Sequence, residues 1–252
     1  MNVYLDTETN GLNDEAEIIQ IGVINDNGSV LIDTLIQCQG DIPTEVSAIN
    51  GITKNDLSCA PTFPQVFDKI CETLKNAEVV LIYNAEFDLR LLKQTSKRYG
   101  LQMPDFNASC VMLGYAHKFN NGKRRKLVDA CDDLLIYTAD VILHSAVGDC
   151  ELTRRLNNKM KLEIAEEQLQ REKRRKSREY RRKIKAKKLA YIPDNWSEYP
   201  DFGAQNRPSG YKTLSQISLK EIHKYEFAGV CCDTYGGSGY LFKPVNKQFR
   251  EI

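Results

Sequence analysis

Two carboxylates close the first apolar run of this 252-residue chain: Asp6 and Glu8, within Val3-Tyr4-Leu5-Asp6-Thr7-Glu8-Thr9. Side chains alternate along an extended strand, so positions i and i+2 share a face and both carboxylates point the same way. Like charges held together are costly unless a cation neutralises them, and hard oxygen donors select Mg²⁺ or Mn²⁺ over zinc. The D-x-E pattern alone is unspecific and recurs at Asp149 and Glu151. The first copy differs by sitting at the edge of an apolar strand, followed by Thr9-Asn10-Gly11. A third carboxylate, Asp88, lies in Asn84-Ala85-Glu86-Phe87-Asp88, directly after the apolar run Val79–Tyr83. Strand-to-helix junctions form the open edge of an α/β sheet, where sites gather. A fourth, Asp149, follows His144 by five positions; Ser145 as a helix cap leaves His144 on a loop and Asp149 in the first turn.

The elements that must position these groups follow from pattern. Val3–Leu5, Glu17–Asn25 and Val30–Gln37 read as strands, the last two joined by the turn Asp26-Asn27-Gly28. Phe63–Asn76 carries apolar residues at helical spacing, Glu78–Tyr83 reads as a buried strand, and Asp88–Tyr99 reads as a helix stopped by Gly100. Lys126–Leu135 and Ser145–Leu156 are further expected helices. Three strands followed by alternating helix and strand predict a mixed α/β sheet with helices on its faces.

In order and spacing, Leu5-Asp6-Thr7-Glu8-Thr9, Asn84-Ala85-Glu86-Phe87-Asp88 and His144-x4-Asp149 resemble the three motifs of the DEDDh 3′→5′ exonucleases. That group includes the proofreading epsilon subunit of bacterial DNA polymerase III, ribonuclease T and oligoribonuclease. Val46–Thr53 is similar to the family's substrate-side segment, with Asn50 where histidine is common. The resemblance covers roughly residues 1–156. It implies a ribonuclease-H-like fold and phosphodiester hydrolysis with two Mg²⁺ or Mn²⁺ held by Asp6, Glu8 and Asp149, with Asp88 supporting the second ion. His144 would take the proton from the attacking water, since an imidazole titrates near neutral pH. Thr7, Thr9, Ile49, Asn50 and Gly51 would line the terminal nucleotide, and Asn84 would meet the phosphate backbone.

The formal net charge of +1 hides a segregation. Residues 1–158 hold 14 bases and 22 acids, residues 159–189 hold 14 and 5, and residues 190–252 hold seven of each. These divisions set three expected parts: an exonuclease domain over 1–158, a basic helix over 159–189, and a small aromatic-rich module over 190–252. The middle part has no Gly or Pro and attracts polyanions. Arg171, Lys173, Arg174, Arg175, Lys176, Arg178, Arg181, Arg182 and Lys183 are its candidate nucleic-acid contacts, against the alternative of a spacer or protein-contact helix. In the last part a helix near Ser218–Tyr225, a hairpin turning at Gly236–Gly239 and a small aromatic core are expected. No apolar run reaches ~18 residues, the first ten residues lack a signal-peptide pattern, and the eight cysteines follow no disulfide spacing, which points to a cytoplasmic protein. The expected function is release of nucleoside 5′-monophosphates from DNA 3′ ends, single-stranded or frayed. The alternatives are the same chemistry on RNA, and a subunit that chiefly docks on a polymerase or processing complex through residues 159–252.

Overall fold

The computed structural model describes residues 1–190, 192–193, 211–232 and 238–244. Two compact units divide at Ala165/Glu166. In the first, strands β1 (Val3–Thr9), β2 (Ile18–Asn25) and β3 (Val30–Leu35) precede helices α1 (Thr44–Asn50) and α2 (Phe63–Lys75). Strand β4 (Val80–Ile82), helix α3 (Ala85–Arg98), strand β5 (Ala108–Cys110), and helices α4 (Val111–Phe119) and α5 (Leu127–Asp133) follow. The five strands form one mixed sheet ordered β3-β2-β1-β4-β5, antiparallel across β1–β2 and β2–β3 and parallel across β1–β4 and β4–β5. The Asp26–Gly28 turn forms as expected, with Gly28 at φ +83°.

Alternation along the central strand β1 divides the core in two. Val3 and Leu5 join Ile21, Val23 and Ile32 beneath Phe63, Ile70 and Leu91 of α2 and α3. Tyr4 joins Ile24, Leu81, Tyr115, Cys150, Leu152 and Leu156 on the other side. β4 ends at Ile82, paired with Leu5, so Asp6–Thr9 extends past its parallel neighbour. On the antiparallel side the β1–β2 register shifts between Glu8 and Thr9, a local irregularity of the kind common beside active sites.

Helix α6 runs unbroken from Ala146 to Leu189. The two separate helices expected over Ser145–Leu156 and Lys159–Leu189 are one, because no Gly or Pro interrupts the chain between Gly148 and Leu189. Residues Glu166–Leu189 of α6 belong to the second unit. That unit also holds a three-stranded sheet in the order β6 (Lys212–Thr213), β8 (Ser238–Pro244), β7 (Tyr225–Cys232). Its small core gathers Leu214, Ile217, Ile222, Phe227 and Phe242. The helix expected near Ser218–Tyr225 is only a 3-10 turn at Ile222–Lys224, because Tyr225 already begins β7. The expected hairpin is present as the β7–β8 pair; of its expected turn, Gly236 and Gly237 lie outside the described residues, while Ser238 and Gly239 already pair with Cys232 and Cys231 as the start of β8. Tyr191, Trp196, Tyr199, Phe202, Tyr235 and Phe249 lie outside them as well.

Candidate active site

The two faces of β1 supply the two halves of the site. Asp6 and Glu8 follow Tyr4 on the face that α6 covers. Carboxylate oxygens of Asp6, Glu8 and Asp149 all lie within 4.8 Å of one another. Thr7 follows Val3 and Leu5 on the opposite face, where α3 packs. Its backbone N–H and its hydroxyl both donate to Oδ1 of Asp88, at 3.1 and 2.7 Å. Asp88 stands in the first turn of α3 and is 3% exposed. An acid there is favoured by the unsatisfied N–H groups of the helix start.

Several side chains outside the motifs bring Asp149 into place. Ser145 Oγ accepts the Gly148 N–H at 3.1 Å and the Ser145 carbonyl accepts the Asp149 N–H at 2.9 Å, so Ser145 starts α6 as expected. Gly22, paired with Asp6 across the sheet, lets that first turn lie on β2. A Cβ at position 22 would stand 2.6 Å from the Ala146 carbonyl carbon. Gln20, paired with Glu8, accepts the Ala146 N–H through Oε1 at 3.2 Å and donates to Asp33 at 3.1 Å. The buried Cys150 thiol lies 3.3 Å from both the Tyr4 and Gly22 carbonyls, and Asn157 donates to the Tyr4 hydroxyl at 3.0 Å. Gln20 and Gly22 are invisible to motif reading, since only the pairing register places them opposite Glu8 and Asp6.

His144 is exposed, sits two positions before α6, and has φ +57°, a left-handed conformation uncommon for a side-chain-bearing residue. Arg155 ties the preceding segment to α6 by a forked pair with Asp140 at 2.7 and 2.8 Å. Among the remaining expected contacts, Ile49 is 61% exposed at the end of α1, a helix that buries none of its residues. The Asn50 side chain lies near enough to Glu8 to oppose the rise of its pKa, while its own Oδ1 accepts the Ile52 N–H at 3.0 Å. Gly51 ends α1 at φ +73°. Thr9 is held in its own loop, with its hydroxyl 2.9 Å from the Gly11 carbonyl and 3.0 Å from that of Glu17. Asn84 is half-buried just before α3, and its side chain caps nothing. The buried Glu17 carboxylate accepts the Gln39 and Gly40 N–H groups at 3.0 and 2.8 Å, which fixes the segment leading to α1.

All four carboxyl groups are pushed above the ordinary carboxylate range. For Asp6 burial acts first, then the charges of Asp88, Asp149 and Glu8. Glu8 rises to about 8 through burial and the Asp149 charge, with the Asn50 side chain opposing. Burial lifts Asp88 to about 7 against the two Thr7 hydrogen bonds. Asp149 is raised by burial and held back by His144. A cluster that resists holding its charges unaided is what a divalent cation stabilises. The donors are carboxylate oxygens without thiol or imidazole, which fits Mg²⁺ or Mn²⁺.

Comparison with known proteins agrees with this arrangement. The RNase_T exonuclease family model matches residues 3–156. A protein of Escherichia phage 186, named uncharacterized exonuclease CP81, is 35% identical over 163 residues, 60% of this chain and 83% of that protein. The DNA polymerase III epsilon subunit of Buchnera aphidicola subsp. Schizaphis graminum (strain Sg) is 29% identical over 167 residues, covering 61% and 71%. The solved structure of exonuclease X in complex with 5′ overhanging duplex DNA superposes with a TM-score of 0.52 at 20% identity, covering 64% of this chain and 90% of that one. The mixed sheet with flanking helices is thus the ribonuclease-H-like fold of DEDDh exonucleases.

Proposed function

Because the chain belongs to the RNase_T exonuclease family, we propose that it is a divalent-metal-dependent 3′→5′ exonuclease that releases nucleoside 5′-monophosphates from DNA 3′ ends. The observation that carries this reading is the convergence of Asp6, Glu8 and Asp149 from β1 and α6, with Asp88 brought alongside by Thr7.

In this reading Asp6, Glu8 and Asp149 hold two Mg²⁺ or Mn²⁺, and Asp88 supports the second. When bound, these ions supply Lewis-acid stabilisation to the attacking and leaving oxygens of an in-line displacement. The protein's own contribution is placement and proton transfer. Thr7 fixes the Asp88 carboxylate, so that part of the acidic cluster is pre-organised before substrate arrives. His144 Nδ1 or Nε2 accepts a proton from the attacking water, and its exposed position before α6 leaves it free to approach a bound 3′ end. Ile49 and Gly51 present an apolar edge and a close backbone to the terminal nucleotide. Thr7 and Thr9, whose hydroxyls are engaged inside the protein, shape that site through backbone and carboxylate rather than by direct donation.

The test uses 5′-labelled single-stranded DNA, duplex DNA and RNA with Mg²⁺, Mn²⁺ or EDTA. Stepwise shortening from the 3′ end that needs metal, favours DNA and vanishes in Asp6→Ala is expected. Nucleotide release that persists in purified Asp6→Ala contradicts the assignment, and faster release from RNA reassigns the substrate. The epsilon relative is named as a polymerase subunit, which favours a second role for this chain as a docked subunit. Low activity alone with strong stimulation by a polymerase partner is its signature.

A further inference from the structure

Within residues 171–183 of α6 five of the six arginines share one face, and the three lysines lie off it. Positions 171, 174, 175, 178 and 182 fall at i, i+3, i+4, i+7 and i+11, which is one face at 3.6 residues per turn. All five are arginine, and together with Glu179 they line one shallow groove. Lys173, Lys176 and Lys183 lie around the other side. There the acids serve the lysines, with Glu172 to Lys176 and Glu179 to Lys183 forming i,i+4 pairs at 2.8 Å each. On the arginine face Glu167 pairs with Arg171 at one end. Arg174, Arg178 and Arg182 form no ion pair with an acid among the described residues, and Arg175 meets only the charge of Glu172, which is already paired with Lys176. The arginines stack like charge on like charge at i,i+4, an arrangement that weakens a helix standing alone.

We infer that the Arg171–Arg182 face of α6 is a sequence-independent binding surface for a nucleic-acid phosphate backbone, separate from the hydrolytic site. Guanidinium forks match phosphate oxygens bidentately where ammonium groups act as point charges, which gives the segregation of arginine from lysine a purpose. The face runs about 16 Å along the helix, the axial length of about five phosphates of one strand. It carries no apolar or aromatic residue. A protein partner would need anchors of that kind at the centre of its interface, and a membrane surface would need an apolar helix face. The one nearby aromatic, Tyr180, sits on the lysine side.

The test compares two full-length variants that each remove three charges: Arg174→Gln/Arg178→Gln/Arg182→Gln and Lys173→Gln/Lys176→Gln/Lys183→Gln. Binding of a short 5′-fluorescein-labelled DNA strand is followed by anisotropy in EDTA across a NaCl series, with helix content checked by circular dichroism. The arginine triple should weaken binding about tenfold at low salt and lower the slope of log K against log salt by about two, while the lysine triple changes affinity less than about twofold. Arg174→Lys/Arg178→Lys/Arg182→Lys keeps charge and helix propensity, and should keep the slope while losing part of the affinity. Equal losses in the arginine and lysine glutamine triples, or none in the arginine triple, overturn the inference. Binding is read without hydrolysis, so either result leaves the exonuclease assignment to its own experiment.

Discussion

Thr7 acts through Asp88. Both its donors fall on one carboxylate oxygen, and both hold the Asp88 pKa below where burial alone would put it. Thr7→Val removes the hydroxyl bond and should lower kcat about 10–100-fold, the usual cost of losing a partner that orients a metal-site carboxylate. It should also move the acid limb of the pH–rate profile to higher pH, while Thr7→Ser restores both. An unshifted limb contradicts the role. Glu8 gives a stability prediction. Its folded pKa, about 8, lies above the ordinary 4.5, so its contribution is complete below pH ~4.5 and is lost as pH rises toward 8. In EDTA the Tm should fall by a few degrees between pH 5 and pH 8, and Glu8→Gln should flatten that fall. A flat wild-type profile in EDTA contradicts it. Sequence alone brought Asp6 and Glu8 to one face, because strand alternation is local. It did not reveal that Thr7, on the other face, is occupied by Asp88 from 81 positions away, since that bond depends on how α3 packs.

At the scale of elements, β1 to β3, α2 and α3 stand within a few residues of where pattern places them. Apolar periodicity and turn residues decide such segments. The short elements α1, β5 and α4 left no clear pattern. α1 buries nothing, and β5 has three residues whose strand identity comes from pairing with β4. The junction that matters most is α6 on β2, where glycine permits contact of backbone with backbone. Gly22→Ala should push the first turn of α6 away from Asp6. The expected cost is about 1–3 kcal/mol in stability, measured by urea unfolding, together with loss of metal-dependent activity. Full activity in this variant would show that the cluster tolerates a displaced Asp149.

Across the whole molecule, charge and burial separate along a single helix. Leu152, Leu156 and Met160 of α6 are buried, whereas residues 171–183 are exposed throughout. Backbone amides of 171–183 should therefore exchange with deuterium about 100-fold faster than those of 150–160, read by mass spectrometry of peptides, and equal protection would mean something covers the basic stretch. The charge segregation was legible in the sequence, but the sorting of arginine from lysine needed the helix phase. Among the described residues no helix is long and apolar enough to cross a membrane. The central strand carries one last implication. Its odd positions belong to one core and its even positions to the other, so the alternation that seals the interior also aims the chemistry. A one-residue slip of β1 against β2 would exchange Tyr4 for Leu5 and aim Asp6 and Glu8 at α3. Burial penalties thus reject the misaimed frame before catalysis can, and the hydrophobic code of this strand serves as proofreader for its own carboxylates.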